Sequence, residues 1–199
     1  VSRTMQEKAR ALPELARLPV HYLPYGVPMP REDQAVRPDP VRPLRILYLG
    51  RVAQEQKRVR LFPKILEDLC ASDIPFHWTI AGGGPELPFL KAAMKTGGPQ
   101  QQVTFLGPVS YAEVPALLRE QDVFLLASDY EGLPLSLLEA MGCGLVPVVS
   151  DLKSGIAEIV ADDSGCRVPV NETAGYEKTI IHLHEHRDEL VAKSAAARL

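Results

Sequence analysis

Apolar residues occur in short unbroken runs along the chain, and between these runs they recur at the spacing of a helix face. A short unbroken run is typical of a strand buried on both faces, whereas a spacing of three and four residues is typical of an amphipathic helix. The repeated alternation of the two patterns predicts an α/β fold built on a doubly wound parallel, Rossmann-like sheet. Strands are predicted over residues 44–49, 76–81, 103–106, 122–127 and 145–149, and around 165–170.

Helical periodicity fills the intervals between the predicted strands. Ser110 and Glu113 have the spacing of a capping box, which predicts that a helix begins there. Pro134 and the glycines Gly142 and Gly144 are placed to begin and end another helix. Further helices are expected over 61–69, from about 85, near 156–160 and from about 172 onward.

The first part of the chain has a different pattern. Residues 1–18 are helical in character, with Ser2 as the expected N-cap, and are interpreted as a connecting helix or a remnant of an N-terminal domain. Residues 19–28 predict a short strand ending in a Pro/Gly turn, and the segment to 43 predicts an extended linker. The expected organisation is therefore an inter-domain strand and linker over 19–43, a Rossmann-like domain over 44–170 and a C-terminal helix over 171–199.

Composition narrows the class of protein. A chain of 199 residues holds one domain, or one with an appendage. A net charge of −3 and a pI near 6.0 argue against general nucleic-acid binding. No apolar run approaches membrane-spanning length and no signal peptide is evident, so a cytoplasmic location is expected. If the molecule on which the protein acts is a lipid, the location is expected to be peripheral to a membrane. Cys70, Cys143 and Cys166 are far apart and odd in number, which favours reduced thiols.

The densest candidate chemistry lies between the fourth and fifth predicted strands. Here a loop at the carboxyl end of a strand leads directly into a helix, which is where open α/β sheets bind ligands. The first-turn amides, from Leu135 and Ser136 onward, point their N–H groups back at the loop and form a site for a phosphate. Glu131 in the loop and Glu139 in the helix could accept hydrogen bonds from hydroxyls. This combination fits a nucleotide sugar.

A second loop supplies positive charge. Gly50 lets the backbone turn off the first strand, and Arg51 and Lys57 follow it, close enough to converge on one diphosphate. Taken alone, an arginine and a lysine in a charged loop are usually solvated. The rival interpretation is a Mg²⁺ site formed by Asp129 and Glu131 beneath a diphosphate. The cationic site is preferred because Arg51 and Lys57 already provide the charge.

Three further features admit more than one interpretation. The glycines at 82–84 follow a strand and precede a helix, but the third glycine of a dinucleotide fingerprint would fall at Leu87 and is absent. A plain turn remains open there. His182 and His186 are four residues apart, although without a third ligand a solvated helix face is favoured over a metal site. Phe76 and Trp78 are expected in the core.

The run from Glu131 to Gly144, with its EGLP, EAM and GLVPVV elements, resembles the E-x7-E signature of retaining GT-B glycosyltransferases of group 1, also called family 4. Arg51 and Lys57 resemble the GR…K element of that family, and residues 82–85 resemble its GxGP loop. The resemblance covers roughly residues 20–170. Two positions depart from the family pattern, since Tyr25 stands where Asn is common and Arg58 stands where Gly is common.

This resemblance implies the C-terminal, donor-binding half of a GT-B enzyme. It implies retaining transfer of a sugar from a nucleoside diphosphate donor, with Arg51 and Lys57 stabilising the leaving diphosphate and no metal or other cofactor. Glu131 would hold hydroxyls of the donor sugar and Glu139 those of the ribose. The remaining donor contacts implied are Gly50, Gly82, Gly84, Gly107, Pro108, Val109, Gly132, Leu133, Pro134, Leu135 and Ser136.

The implied partners are the nucleotide sugar and an N-terminal domain that carries the acceptor site, so the isolated domain is expected to be inactive. Two other classes stay open. One is a non-catalytic nucleotide-binding domain, against which the presence of both acids and both cations argues. The other is a GT-B relative, either a sugar-nucleotide epimerase or a phosphorylase, although no signature of the phosphorylase's lysine-bound cofactor is seen.

Overall fold

The computed structural model describes residues 2–15, 17–31, 35–36, 38–39, 41–94, 103–170 and 172–198. Its six strands lie in one sheet in the order β3-β2-β1-β4-β5-β6, and every pairing is parallel. The chain reverses its direction of winding between β1 and β4, so a crevice opens outside the carboxyl ends of these two strands. The predicted doubly wound α/β sheet is confirmed. The strands are β1 Leu44–Leu49, β2 Phe76–Ala81, β3 Val103–Gly107, β4 Val123–Leu126, β5 Val146–Ser150 and β6 Cys166–Val168.

Helices connect the strands and cover the sheet. In β4 and β5 every residue is buried, and because neighbouring residues point to opposite faces, both faces of the sheet are covered. This explains why these strands read as unbroken apolar runs. The helices are α1 Arg3–Arg10, α2 Gln54–Lys57, α3 Phe62–Ala71, α4 Leu87–Ala93, α5 Val114–Arg119, α6 Leu135–Cys143, α7 Gly155–Ile159, α8 Gly175–Glu185 and α9 Arg187–Ala197.

An aromatic cluster fills the core between β1, β2 and α3. The rings of Tyr48 and Phe62 meet edge to face with centroids 5.0 Å apart, and Phe62 lies 5.1 Å from Trp78. Such contacts stabilise a core beyond the burial of the rings themselves. The expectation that Phe76 and Trp78 belong to the core is confirmed, since both are buried.

The N-terminal segment differs partly from its prediction. Ser2 does cap α1, where its Oγ accepts a hydrogen bond from the Met5 amide at 3.2 Å, but the helix ends at Arg10 instead of Leu18. The strand predicted over 19–28 is wrong, because residues 17–31 contain no strand. Prolines in this segment remove donors that a sheet would need. Side chains of α1 bind the backbone of the 19–28 segment instead, since both Gln6 and Arg10 donate to the Val20 carbonyl.

Two helix boundaries also differ. The Glu113 carboxylate accepts hydrogen bonds from the Ser110 amide at 3.0 Å and from its hydroxyl at 2.5 Å. The Glu113 amide donates to the Ser110 carbonyl at 3.0 Å instead of to its hydroxyl. Only half of the predicted capping box forms, and α5 begins at Val114. The single C-terminal helix is wrong as well, since the described chain breaks at His186 into α8 and α9.

Candidate functional site

The loops that follow β1 and β4 meet at the carboxyl edge of the sheet. Lys57, at the end of α2, forms an ion pair with Glu131, and the two side chains are 12% and 6% exposed. The Ser128 hydroxyl donates to the same carboxylate at 2.8 Å. Two residues that are distant in sequence and were singled out separately are therefore brought into direct contact.

Gln56 organises this contact and was missed by the sequence reading. Its side-chain oxygen accepts from Arg51 Nη2 at 3.3 Å, and its side-chain nitrogen lies 3.4 Å from Glu131 Oε2. Its backbone carbonyl accepts from the Asp129 amide at 2.9 Å. Gln56 thus joins the arginine, the glutamate and the loop between β4 and α6. A glutamine before a lysine carries no distinctive sequence signal, because its importance depends on residues more than seventy positions away.

The start of α6 faces the same crevice. Pro134 occupies its N-cap position without a side-chain cap, and the first-turn amides at Leu135 and Ser136 have no partner within the helix. The helix dipole adds positive potential at this end. Leu137 and Met141 are fully buried on the face turned to the core, as their spacing predicts.

Glu139 lies on another side of α6, next to a cavity of about 210 Å³ between α5, α6 and residues 28–30. Burial raises the pKa of its carboxyl above the ordinary value. Tyr111 and Arg119 line the same cavity, and much of the remaining lining is apolar. A carboxylate beside a partly apolar cavity can accept hydrogen bonds from hydroxyls of a ligand whose rings pack on the apolar wall.

The glycines at 82 and 84 have a structural reason that the sequence did not reveal. Both have positive φ, +133° and +155°. A Cβ at position 82 would lie 1.8 Å from the Gly50 carbonyl oxygen, and a Cβ at position 84 would lie 2.2 Å from the Val52 carbonyl oxygen. Backbone hydrogen bonds from Gly50 to Ala81 and from Val52 to Gly83 hold the two loops together. The glycines therefore permit close packing of loop on loop, and their contact with a donor stays a prediction.

The other predicted loops lie around the same edge. The Gly82 amide donates to the Gly107 carbonyl at 2.7 Å, and the Pro108 ring packs against Gly83, which places residues 107–109 beside the glycine loop. On the other side, the Gly155 amide donates to the Gly132 carbonyl at 2.8 Å, and the start of α7 packs against Leu133. The structure thus gathers the loops that follow β1, β2, β3 and β4 along one edge of the sheet, whereas Glu139 lines the separate cavity between α5 and α6.

The carboxylates proposed as Mg²⁺ ligands have separate cationic partners. Glu131 pairs with Lys57, whereas Asp129 Oδ1 lies 3.2 Å from Arg58 Nε. Across the described residues, no group of three His, Cys, Asp or Glu side chains is arranged to hold a metal ion. His182 stacks on His186 and lies 2.7 Å from Glu189, both pairs being at the surface.

No helix in the described part of the chain has both the length and the apolar character required to cross a membrane.

A parallel doubly wound sheet with paired cations and acids and an uncapped helix start at its switch point defines an α/β domain with a candidate site for an anionic ligand. The family model described as glycosyl transferases group 1 matches residues 31–198, and the chain belongs to this family.

Individual relatives agree with that assignment. The amylovoran biosynthesis glycosyltransferase AmsK of Erwinia amylovora is 33% identical over 79% of this chain and 40% of its own length. A GDP-mannose-dependent alpha-(1-6)-phosphatidylinositol monomannoside mannosyltransferase of Mycobacterium tuberculosis is 30% identical over 90% of this chain and 50% of its own. The chain thus spans half or less of the length of these relatives.

Solved structures show the same fold. The pneumococcal O-GlcNAc transferase GtfA, in complex with UDP and GlcNAc, superposes with a TM-score of 0.74 at 21% identity, over 100% of this chain and 40% of that one.

Proposed function

We propose that this chain is the donor-binding domain of a glycosyltransferase and holds a nucleoside diphosphate sugar for transfer with retention at the anomeric carbon. The observation that carries the proposal is the ion pair of Lys57 with Glu131, in the loop that leads into the uncapped start of α6. A diphosphate in this crevice would meet an ammonium group on one side and helix-start amides on the other. Glycosyl transfer builds negative charge on the leaving diphosphate, and groups fixed beforehand around that charge lower the barrier.

Each side chain has a separate role in this proposal. Arg51 and Lys57 bind the diphosphate, the first through its planar fork and the second as a point charge. Glu131 accepts hydrogen bonds from hydroxyls of the donor sugar. Its ion pair with Lys57 and the hydrogen bond from the Ser128 hydroxyl hold the carboxylate in place at the crevice. The acceptor is proposed to bind to a second domain that faces this edge.

Metal independence follows from the same charges. The proposed site supplies two cations and a helix dipole to neutralise the diphosphate, and Asp129 and Glu131 already have cationic partners. A Mg²⁺ ion would have to displace Lys57 and Arg58 from these acids. Binding is therefore proposed to need no divalent ion.

The nucleoside is proposed to lie near Glu139, with the ribose hydroxyls donating to its carboxylate. The adjoining loop over residues 107–109 would contact the base. Similarity supports both uridine and guanosine, because GtfA is described with UDP and the mycobacterial relative is GDP-mannose-dependent. A sugar-nucleotide epimerase would use the same donor site, but no observation on this chain favours that activity over transfer.

Calorimetric titration of the chain with UDP, GDP and ADP, each with and without Mg²⁺, tests the proposal. Saturable binding of at least one diphosphate, unchanged by Mg²⁺ and stronger than that of its nucleoside, is expected. Absence of binding by all three would contradict the donor site. Binding that appears only with Mg²⁺ would favour the rival interpretation, in which Asp129 and Glu131 bind a Mg²⁺ ion beneath the diphosphate.

A further inference from the structure

Arg58 follows Lys57 directly and adopts a backbone conformation that is unfavourable for arginine. Its φ of 44° and ψ of 34° lie in the left-handed region, where it ends α2 and its amide donates to the Gln54 carbonyl. A residue with a Cβ pays roughly 1–2 kcal/mol to adopt this conformation, whereas glycine adopts it readily. Such a conformation persists where contacts of the side chain compensate for it.

The side chain of Arg58 makes these contacts below the crevice. Its Nη1 donates to the Val170 carbonyl at 2.6 Å, and its Nε lies 3.2 Å from Asp129 Oδ1. The side chain is only 14% exposed. It also acts on Tyr176, whose pKa is raised chiefly by burial and lowered in part by the Arg58 guanidinium. Two of its nitrogens, Nη1 and Nε, are thus directed to Val170 and Asp129.

Lys57 and Arg58 together connect the segment after β1 to the loop between β4 and α6, which carries Asp129 and Glu131. Lys57 pairs with Glu131 and Arg58 with Asp129, two residues earlier. The loop is also fixed from below, because the Ser128 amide donates to Ser150 Oγ at 2.7 Å. Asp129 is about half exposed, so without Arg58 it would present an unpaired negative charge close to the crevice.

We propose that Arg58 is a positioning residue for the donor site, which holds the loop over residues 128–131 and neutralises Asp129 so that a diphosphate can bind beside Glu131. This inference rests on the proposed function. It predicts that glycine, which suits the backbone at position 58 better than arginine, makes a poorer binding site.

The test compares Arg58→Gly with the parent by calorimetry, using UDP and GDP against uridine and guanosine. Arg58→Gly should weaken binding of the diphosphate about fivefold, as expected for a partly exposed charge pair, and leave nucleoside binding unchanged. Its unfolding temperature should stay close to that of the parent, because relief of the backbone strain offsets the loss of the contacts to Asp129 and Val170. Arg58→Asn tolerates the same backbone but cannot reach Asp129, and it should show the same loss of affinity.

The double variant Arg58→Gly/Asp129→Asn separates positioning by charge from a merely structural role. Removing the unpaired carboxylate should restore diphosphate affinity to within about twofold of the parent. Lys64→Ala removes one positive charge from the exposed face of α3 and serves as the charge-matched control, with affinity unchanged.

Parent-like diphosphate affinity in Arg58→Gly would overturn the inference, as would an equal loss for diphosphate and nucleoside. In a second case, the parent binds diphosphates, and Lys57→Ala weakens this binding whereas Arg58→Gly does not. The inference then fails while the proposed function stands. If the parent binds no nucleoside diphosphate, the proposed function fails and the inference falls with it.

Discussion

Two ion pairs lie at opposite ends of the same two neighbouring strands, β1 and β4. At the amino end, Arg42 precedes β1 and pairs with Asp122, which precedes β4, at 2.5 Å. At the carboxyl end, Lys57 follows β1 and pairs with Glu131, which follows β4. In each pair the acid is almost completely buried. Both ends of the strands therefore have a buried acid in an ion pair, and this feature alone does not distinguish a binding site from a structural contact.

The surroundings of the two pairs differ. Asp122 also accepts from the Arg45 amide at 2.9 Å, and the Arg42 carbonyl accepts from Arg187, so this pair ties the linker and α9 to the sheet. Around Glu131, by contrast, lie the exposed Arg51 and the uncapped start of α6. In the amino-end pair the Asp122 carboxylate is bound by Arg42 and by the Arg45 amide, whereas the carboxyl-end pair adjoins donors that a ligand could use. The presence of such donors marks the candidate site.

The largest expected effect belongs to the amino-end pair. Asp122→Asn keeps the shape of the side chain but leaves Arg42 without its counter-charge, and breaking a buried pair in this way should lower the free energy of unfolding by about 3 kcal/mol. Urea denaturation measures the loss. Affinity for a nucleoside diphosphate should remain that of the parent in the folded fraction. Weakened binding by the folded variant would mean that the two ends of the strands are coupled, and the comparison would fail.

Lys57→Ala should show the opposite profile. Loss of a charge-assisted contact to the diphosphate should weaken its binding by roughly 2–3 kcal/mol, with a smaller loss of stability because Ser128 and Gln56 still contact Glu131. Arg51→Ala should act in the same direction. Calorimetry with a diphosphate and with its nucleoside measures the effect, and Lys64→Ala is the charge-matched control. Equal losses for both ligands would show that the two cations act elsewhere.

The sequence predicted the sheet well because β4 and β5 are buried on both faces and most residues of β1 and β2 are buried as well. The mainly apolar segments over 44–49 and 76–81 coincide with β1 and β2, and the prediction over 103–106 differs from β3 by one residue. The start and end of α6 were also predictable, since Pro134 and Gly144 have local conformational preferences. Where the local conformational preference of a residue determines the structure, the sequence was sufficient to predict it.

Features that depend on distant partners were not predictable. Gln56 matters through contacts to Tyr130 and Glu131, and the left-handed Arg58 is explained only by Asp129 and Val170. The segment over 19–28 has an apolar and proline pattern that suits an edge strand, but α1 binds its backbone and no strand forms. In each case a tertiary contact decided between local alternatives.

Glu139→Gln tests the cavity between α5 and α6, away from both ion pairs. Replacing the carboxylate removes a charged acceptor of hydrogen bonds from the ribose, which should weaken nucleoside diphosphate binding by roughly 1.5–3 kcal/mol. In contrast to Lys57→Ala, the nucleoside should lose as much as the diphosphate. Calorimetry with both ligands checks this, and an affinity equal to the parent's would refute the assigned role.

The smallest expected effect is a pH dependence that originates at Glu139. Burial raises the pKa of this carboxyl above 4.5, so the folded chain binds its proton more readily than the unfolded chain. The contribution of Glu139 to stability should therefore fall as pH rises through the window just above 4.5. Ribose hydroxyls favour the ionised carboxylate, so nucleotide affinity should rise through the same window. Unfolding and calorimetric series from about pH 4.5 to about pH 7 measure both trends. Both should be absent from Glu139→Gln, and a variant that keeps the rise in affinity would assign it to another group.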